Sequence, residues 1–333
     1  MKAGFFPGQG SQTVGMGRQF YDEFTVFRQT IEEASDSLSF NLKKLMFEGP
    51  ESELMLTENA QPAILAVSTG CFRVAEMEIE LKTGVNLGHS LGEYSALVAS
   101  EAIPFAEAIQ WVNARGKAMQ KAVPVGEGTM AAILGGEDEQ VTEWCKQATA
   151  HAIETRKTNG TSSQVDCTVE PANFNAPGQV VVSGSVDAVE ALEKLITDLG
   201  IRGVMVKRLT VSAPFHSSLM KPARLAMEEI FKKSDNSLTP LTTPYIPNRT
   251  AKMTSEKGVV FPLLSEQVDN AVLWKQSVET LFTQESQIAF EFGPGKVLQG
   301  LTKRIAKNKG VSFETHPIYD LETLKAAEGI LKS

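Results

Sequence analysis

The chain has 333 residues, of which 42% are hydrophobic and 22% are charged, and this composition is typical of one large α/β domain or two smaller ones. Its net charge of -8 argues against a broad nucleic-acid surface, and no apolar run approaches the roughly 18 residues of a membrane helix. The three cysteines form no paired motif and the four histidines lack zinc-ligand spacing, so we expect no disulfide, no metal and a cytoplasmic protein.

The first predicted element is a short buried strand over residues 2–6, which the glycine-rich turn PGQGSQ follows. A second short apolar run over 85–87 ends directly in GHSLGEYSAL. Within that segment, the residues from Leu91 to Val98 are predicted to form a helix. The pattern is therefore strand, sharp turn and helix, and Ser90 lies at the turn.

A small subdomain is predicted in the segment 127–208, which has the order β-α-β-β-α-β of a ferredoxin-like fold. The predicted elements are strands over 130–134, 167–173, 179–183 and 203–209, helices over 138–150 and 186–199, a polar loop over 156–166, and an acidic, solvated helix start at 137–139. We predict an α/β fold in which a hydrolase-like core with a parallel sheet, residues 1–126 and 209–333, carries this subdomain as an insertion.

The α/β pattern resumes towards the C-terminus. A strand over 288–293 ends in GPGK, and a helix over 297–307, a strand over 311–318 and a helix from about 321 follow. A glycine-rich segment that opens a helix can bind phosphate, but GPGK lacks P-loop spacing. We interpret it as a strand-to-helix turn.

Residues 88–92 match the G-x-S-x-G motif of a nucleophile elbow. The serine of such an elbow occupies a strained turn, so small residues are needed on both sides of Ser90. The helix N-terminus behind it offers free N–H groups and a positive dipole end, which suit a developing oxyanion. The alternative is a glycine-lined turn with a capping serine.

A serine nucleophile needs a base. His89 is adjacent to Ser90, but side chains at neighbouring positions point apart, which disfavours it. His216 lies in VSAPFHSSL, a loop that Pro214 stiffens, and is the better candidate. The alternative is a loop histidine that bonds a nearby carbonyl.

Arg115 is the clearest clue from pattern alone. Residues 105–123 are predicted to form an amphipathic helix, and Arg115 lies on its apolar stripe. A guanidinium there needs an anion, because an unpaired buried cation costs several kcal/mol. The anion is either a structural Asp or Glu, or the carboxylate of a substrate.

Taken together, the motifs resemble one family, the malonyl-CoA:acyl carrier protein transacylases of fatty acid synthesis, and the related acyltransferase domains of polyketide synthases. The matching segments are FPGQGSQTVGMG (6–17), TENAQPAILAVS (57–68), GHSLGEYSAL (88–97), ARGKAMQKAVPVGEGTMAAI (114–133), NFNAPGQVVVSG (173–184), VSAPFHSSLMKPA (211–223) and FEFGPGKVLQGLTKRI (290–305). They span essentially the whole chain in the family's order. The stretch 151–168 is longer than is usual for the family.

The resemblance implies a catalytic role for each of five residues. Ser90 would attack the thioester and His216 would take its proton. A main-chain carbonyl near Gln267 would orient the imidazole, because the family has no acidic third member. The N–H groups of Gln9 and Leu91 would form the oxyanion hole.

The resemblance also implies the substrate contacts. Arg115 would bind the malonyl carboxylate, and Gln61 would line the same pocket. Asn173 would lie near the pantetheine path, and Phe215 would crowd a branch on the acyl carbon. The implied substrate is malonyl-CoA and the implied partner is acyl carrier protein, which carries the phosphopantetheine itself. We therefore expect a monomer that needs no cofactor of its own.

Acyl carrier proteins are acidic, so we predict a local basic patch on this chain. Its candidate members are Lys121, Lys303, Arg304 and Lys307.

Two other functions remain open at this point. The first is a thioesterase or hydrolase of the same elbow class, in which water resolves the acyl-enzyme. Arg115 and the lack of a clear Ser, Asp, His order favour transfer over hydrolysis. The second is a non-catalytic scaffold that binds the carrier protein, which the presence of both Ser90 and His216 disfavours.

Overall fold

The computed structural model describes residues 1–160, 163, 165–211, 213–284 and 286–332. Its strands are β1 Lys2–Phe6, β2 Val85–Gly88, β3 Gly128–Leu134, β4 Val169–Ala176, β5 Gln179–Ser185, β6 Met205–Arg208, β7 Ile288–Phe292 and β8 Glu314–Ile318. Its helices are α1 Arg18–Glu23, α2 Thr25–Asp36, α3 Leu42–Glu48, α4 Glu51–Leu54, α5 Thr57–Ile79, α6 Gly92–Ala99, α7 Phe105–Lys121, α8 Asp138–Asn159, α9 Val186–Leu199, α10 Lys221–Lys233, α11 Val260–Val268, α12 Trp274–Phe282, α13 Val297–Lys309 and α14 Leu321–Lys332.

The first sheet is parallel and has the strand order β2-β1-β7-β8. Successive side chains of β1 point to opposite faces, and both faces are covered. Phe5 packs edge-on against Trp274 at a centroid distance of 5.3 Å, while Phe6 packs against Phe72 on the other face at 5.9 Å. The central strand is therefore buried on both sides, which explains its continuous apolar run.

The second sheet is antiparallel, with the order β4-β5-β3-β6. Its strands and the helices α8 and α9 share a separate hydrophobic core. The chain order β3-α8-β4-β5-α9-β6 is the ferredoxin-like arrangement. The predicted fold class, a parallel α/β core with an added small subdomain, is confirmed. All four strands of this sheet fall within 127–208.

Helix α8 is longer than predicted. It ends at Asn159 rather than 150, so residues 156–159 of the predicted polar loop are helical. The buried stripe on α8 continues through Ala148 and Ala152, and one turn later Arg156 donates to the carboxylate of Asp187. The bond between Arg156 and Asp187 therefore supports the additional turns of α8. Three positions of the predicted loop, Thr161, Ser162 and Gln164, lie outside the described residues.

Main-chain hydrogen bonds join the small subdomain to the core. The N–H of Phe174 donates to the carbonyl of Val272, and the N–H of Val272 donates to the carbonyl of Ala172, both at 2.9 Å. Asp138 also forms an ion pair with Lys275, and both side chains are largely buried. The predicted solvated helix start is therefore wrong for Asp138, although its two acidic neighbours are exposed.

The GPGK segment opens α13, and its N-terminus already has an internal anion. Glu291 accepts hydrogen bonds from the N–H groups of Leu298, at 3.0 Å, and Gln299, at 2.7 Å. Burial raises the pKa of this carboxyl to about 7. The carboxylate occupies the place that a phosphate would need, which agrees with a strand-to-helix turn. None of the described helices has the length and apolarity to cross a bilayer.

Candidate active site

Ser90 lies at the sharp turn between β2 and α6, with a positive φ of 51°. A Cβ atom at Gly88 would lie 1.9 Å from the backbone of Gly92, and one at Gly92 would lie 2.0 Å from the carbonyl oxygen of Phe6. Neither position has room for a side chain. The two glycines are therefore required for a strained turn of this kind, as the elbow motif predicts.

His216 and Ser90 are hydrogen-bonded although 126 residues separate them in sequence. Ser90 Oγ lies 2.7 Å from His216 Nε2, and His216 Nδ1 lies 2.8 Å from the main-chain carbonyl of Gln267. A carbonyl can only accept, so Nδ1 carries the proton and Nε2 is free to accept one. Burial, together with the cation of Arg115, lowers the pKa of His216 to about 3. The imidazole is thus neutral at physiological pH.

His89 does not take part in this pair. Its Nε2 donates to Asn175 Oδ1 at 2.7 Å, and its ring packs against Trp274. Burial lowers its pKa as well. As expected for a neighbour of Ser90, it serves a different contact, and that contact links the elbow to β4 of the small subdomain.

Arg115 projects from α7 and is 1% exposed. It donates to the side-chain oxygens of Gln61 and Gln267, both at 2.9 Å, and to Ser90 Oγ at 3.1 Å. Its guanidinium also lies 5.7 Å from the ring centroid of Tyr94. These partners are all neutral, and in the described part of the chain no carboxylate forms an ion pair with it. Among the described residues, the structural Asp or Glu of the first alternative is not found in direct contact with Arg115; the carboxyl of Glu93 acts on it only through space. The guanidinium can therefore still take an incoming anion.

These side chains line one cleft of about 620 Å³. Its walls include eight of the nine predicted site residues: Gln9, Gln61, Ser90, Leu91, Arg115, Asn173, Phe215 and His216. The ninth, Gln267, is fully buried behind Arg115 and His216. Asn173 comes from the small subdomain and the other seven come from the core, so both subdomains contribute to the cleft.

Two backbone N–H groups near Ser90 are available to a ligand. Leu91 precedes α6, and Gln9 lies in the turn after β1. Within the described ranges, neither N–H has an acceptor. Two free donors beside a nucleophile are the elements of an oxyanion hole.

Two further residues hold the elbow, and the sequence reasoning missed both. Asn248 accepts from the N–H of Ser90 at 2.7 Å and donates to the carbonyl of Gly88 at 2.6 Å. Glu93 accepts from the N–H of Asn248 at 3.1 Å and from the side chain of Gln267 at 2.7 Å. Burial raises the pKa of Glu93 to about 7. The one available signal was an acidic residue three positions after the serine, inside an otherwise apolar helix.

Comparison with known proteins agrees with this geometry. A family model described as acyl transferase domain matches residues 5–315. The malonyl CoA-acyl carrier protein transacylase of Bacillus subtilis (strain 168) is 38% identical over 331 residues, which cover 98% of this chain and 96% of that protein. The Escherichia coli (strain K12) protein of the same name is 39% identical over 314 residues, or 94% and 95% of the two chains.

Solved structures give the same result. An acyl-carrier-protein S-malonyltransferase from Burkholderia pseudomallei 1710b has a TM-score of 0.88 at 38% identity, covering 99% of this chain and 100% of its own. A malonyl-transacylase solved in complex with a type II PKS acyl-carrier protein has a TM-score of 0.87 at 36% identity, covering 98% and 99%. The likeness extends over essentially the whole chain in both.

Proposed function

The chain belongs to the acyl transferase domain family, and from that premise we propose that it transfers a malonyl group from malonyl-CoA to acyl carrier protein through an acyl-serine intermediate. One observation carries the proposal. The hydrogen-bonded pair of Ser90 and His216 faces Arg115, a buried cation whose hydrogen-bond partners in the described part of the chain are all neutral. A nucleophile beside a cation that no carboxylate contacts directly in the described residues suits an acyl group that ends in an acid.

In the proposed acylation step, the carboxylate of malonyl-CoA binds Arg115 through two parallel hydrogen bonds. Ser90 Oγ attacks the thioester carbon while its proton passes to His216 Nε2. The N–H groups of Gln9 and Leu91 would stabilise the oxyanion, at about 3–4 kcal/mol per donor. The C–S bond then breaks, the sulfur takes the proton from His216, and CoA leaves as a thiol.

Deacylation reverses these steps with a new thiol. The phosphopantetheine thiol of acyl carrier protein gives its proton to His216 Nε2 and its sulfur attacks the malonyl-serine carbonyl. The C–O bond to Ser90 breaks, and the proton returns to Ser90 Oγ. This sequence predicts ping-pong kinetics, and it needs no resident cofactor or metal.

Partner binding belongs to the same proposal. All four residues of the predicted basic patch are exposed: Lys121, Lys303, Arg304 and Lys307. Arg304 also donates to Gln179 at 2.7 Å, next to the loop between β4 and β5. We propose that these basic side chains, three of which lie on α13, receive the acidic carrier protein, and that the enzyme acts as a monomer in the cytoplasm.

The decisive experiment is intact mass spectrometry after the protein is mixed with malonyl-CoA. We expect a malonyl adduct on the wild type and none on Ser90→Ala. A malonylated Ser90→Ala protein would refute the nucleophile. Malonyl-carrier as the main product supports transfer, whereas free malonate as the main product would show a hydrolase instead.

A further inference from the structure

A buried carboxyl group lies behind Ser90 and takes no part in the steps described above. Glu93 is in the first turn of α6, three residues after the serine, and is 0% exposed. A carboxyl group at such a depth is costly unless donors surround it. Its position and its donors therefore need an explanation.

Among the residues that the structure describes, only one oxygen of this carboxyl group has hydrogen-bond partners. Glu93 Oε2 accepts from the side-chain amide of Gln267 at 2.7 Å and from the main-chain N–H of Asn248 at 3.1 Å. Within the described residues, Oε1 has no hydrogen-bond partner. An ionised carboxylate is an acceptor only, so it dictates that donors face it.

This requirement fixes the orientation of the Gln267 amide. Its Nε2 faces Glu93 and also donates to the Ser90 carbonyl at 2.8 Å, so its Oε1 points the other way and accepts from Arg115. Nε2 also lies 3.3 Å from Asn248 Oδ1, so the reversed amide would set its oxygen against three acceptors and its NH₂ group against the guanidinium. Glu93 is the charged acceptor among the groups that favour one of the two nearly isosteric orientations of this amide.

We propose that Glu93 is a positioning residue that holds the Gln267 amide in the orientation needed by Arg115, and so fixes the cation that receives the substrate carboxylate. The inference rests on the proposed malonyl transfer. Gln267 serves two partners at once, since its main-chain carbonyl accepts from His216 while its side chain accepts from Arg115. Glu93 thereby acts on donor selection without touching the substrate.

The test compares two acyl donors in the Glu93→Gln variant, above neutral pH, where the wild-type carboxyl is ionised. The new amide has nearly the same shape but can present either end to Gln267. Glu93 then no longer contributes to the orientation, and only the Ser90 carbonyl, Asn248 and Arg115 still favour it. We expect kcat/KM for Ser90 acylation by malonyl-CoA to fall about tenfold relative to that by acetyl-CoA. An unchanged malonyl-to-acetyl ratio would overturn the proposal.

A double-mutant cycle separates this role from general support of the fold. Gln267→Met removes both ends of the amide and keeps the length of the side chain. If Glu93 acts through Gln267, adding Glu93→Gln to Gln267→Met causes no further loss of the ratio. Fully additive losses would show that Glu93 acts by another route and would refute the proposal.

Glu291→Gln is the matched control. Glu291 is also a fully buried carboxyl group that accepts from two N–H donors, but it is a residue of β7 and its donors are at the start of α13, not Gln267. We expect this variant to lose stability with an unaltered malonyl-to-acetyl ratio. A ratio that falls as far as in Glu93→Gln would mean that any buried carboxyl matters, and would overturn the specific role of Glu93.

The two proposals fail in different ways. If the wild type gains no malonyl group, the proposed function fails whatever Glu93 does. If the wild type is acylated and Glu93→Gln keeps its ratio, only the positioning role fails. Should Glu93→Gln not fold, Glu93→Asp keeps the charge but withdraws it by one methylene; a lowered ratio supports the proposal and an unaltered one refutes it.

Discussion

Arg115 Nη2 donates a hydrogen bond to Ser90 Oγ at 3.1 Å, and the same oxygen lies 2.7 Å from His216 Nε2. A carboxylate that engages the guanidinium with two parallel hydrogen bonds competes for the donor now directed at the serine. The hydroxyl would then keep the imidazole as its partner. We therefore expect the binding of the substrate carboxylate to Arg115 to release Ser90 Oγ from its hydrogen bond with the guanidinium in the same step.

Replacing Arg115 should therefore reduce activity selectively. We expect Arg115→Ala to lower kcat/KM for malonyl-CoA at least about 100-fold and to lower that for acetyl-CoA much less, because only the malonyl group places a carboxylate on the guanidinium. Acyl-enzyme formation with each donor measures both values. Equal losses with the two donors would contradict the carboxylate clamp.

The low pKa of His216 predicts how Ser90 reactivity depends on pH. The pKa is depressed from 6.5 to about 3, so the base stays unprotonated across the mildly acidic range. Burial lowers this pKa most, and the charges of Arg115 and His89 lower it further, whereas main-chain hydrogen bonds with Gln267 and Asn270 raise it. We expect the rate of labelling by an uncharged serine-directed phosphonate to show no inflection near pH 6.5. A roughly tenfold drop between pH 7.5 and 5.5 would contradict this.

The same shift has a consequence for stability. Between the folded and unfolded pKa values of His216, the unfolded chain binds more protons than the folded one. The contribution of this residue to the free energy of unfolding is therefore fully present above pH 6.5 and is lost as the pH falls towards 3. Urea unfolding of the wild type and of His216→Ala at several pH values would show a smaller acid dependence in the variant.

Phe215 should restrict the shape of the acyl chain. Its ring is 7% exposed and lines the cleft beside His216. We expect Phe215→Ala to raise transfer of methylmalonyl relative to malonyl by about tenfold, the usual effect of one methyl group in a pocket. The two CoA esters in direct competition measure this ratio. An unchanged ratio would assign the branch restriction to other residues.

The buried ion pair of Lys275 and Asp138 should matter for stability. Their side chains are 16% and 12% exposed, so Lys275→Met leaves a carboxylate largely buried without its partner. We expect a loss of about 1–3 kcal/mol in the free energy of unfolding, smaller in the Asp138→Asn/Lys275→Met double variant. The control is Lys194→Met at the exposed pair with Asp198, expected within about 0.5 kcal/mol. A double variant less stable than Lys275→Met would contradict the argument.

The basic patch should affect the binding of the carrier protein and not the binding of malonyl-CoA. Reversing the charge of Lys303 and Lys307 together is expected to raise KM for acyl carrier protein about tenfold and to leave KM for malonyl-CoA unchanged. Steady-state kinetics with each substrate varied in turn would measure both values. The effect should weaken as salt increases. An unchanged KM for the carrier would refute the patch.

The sequence was most informative where function constrains the local chain. The glycines around Ser90 predicted its turn, and the apolar stripe around Arg115 predicted a buried cation in need of an anion. Pattern alone left two roles open for His216, because only the folded chain brings residue 216 to residue 90. The family resemblance supplied the role of His216 as the base for Ser90, which periodicity could not.

The supporting residues could not be predicted in this way. Asn248 meets Ser90 across 158 residues, and a hydrogen bond between distant loops leaves no periodic trace in either segment. The end of α8 was missed for a related reason. Arg156 looks like a loop residue until Asp187, 31 positions later, becomes its partner.

The junction between the two subdomains has a consequence for the rate of the catalytic cycle. The cleft walls are joined by the main-chain bonds of Val272, by Lys275 with Asp138, and by His89 with Asn175. A cleft whose walls are joined in this way need not close around the substrate, so we expect no slow gating motion in the catalytic cycle. The turnover rate would then be limited by the binding and dissociation of the carrier protein.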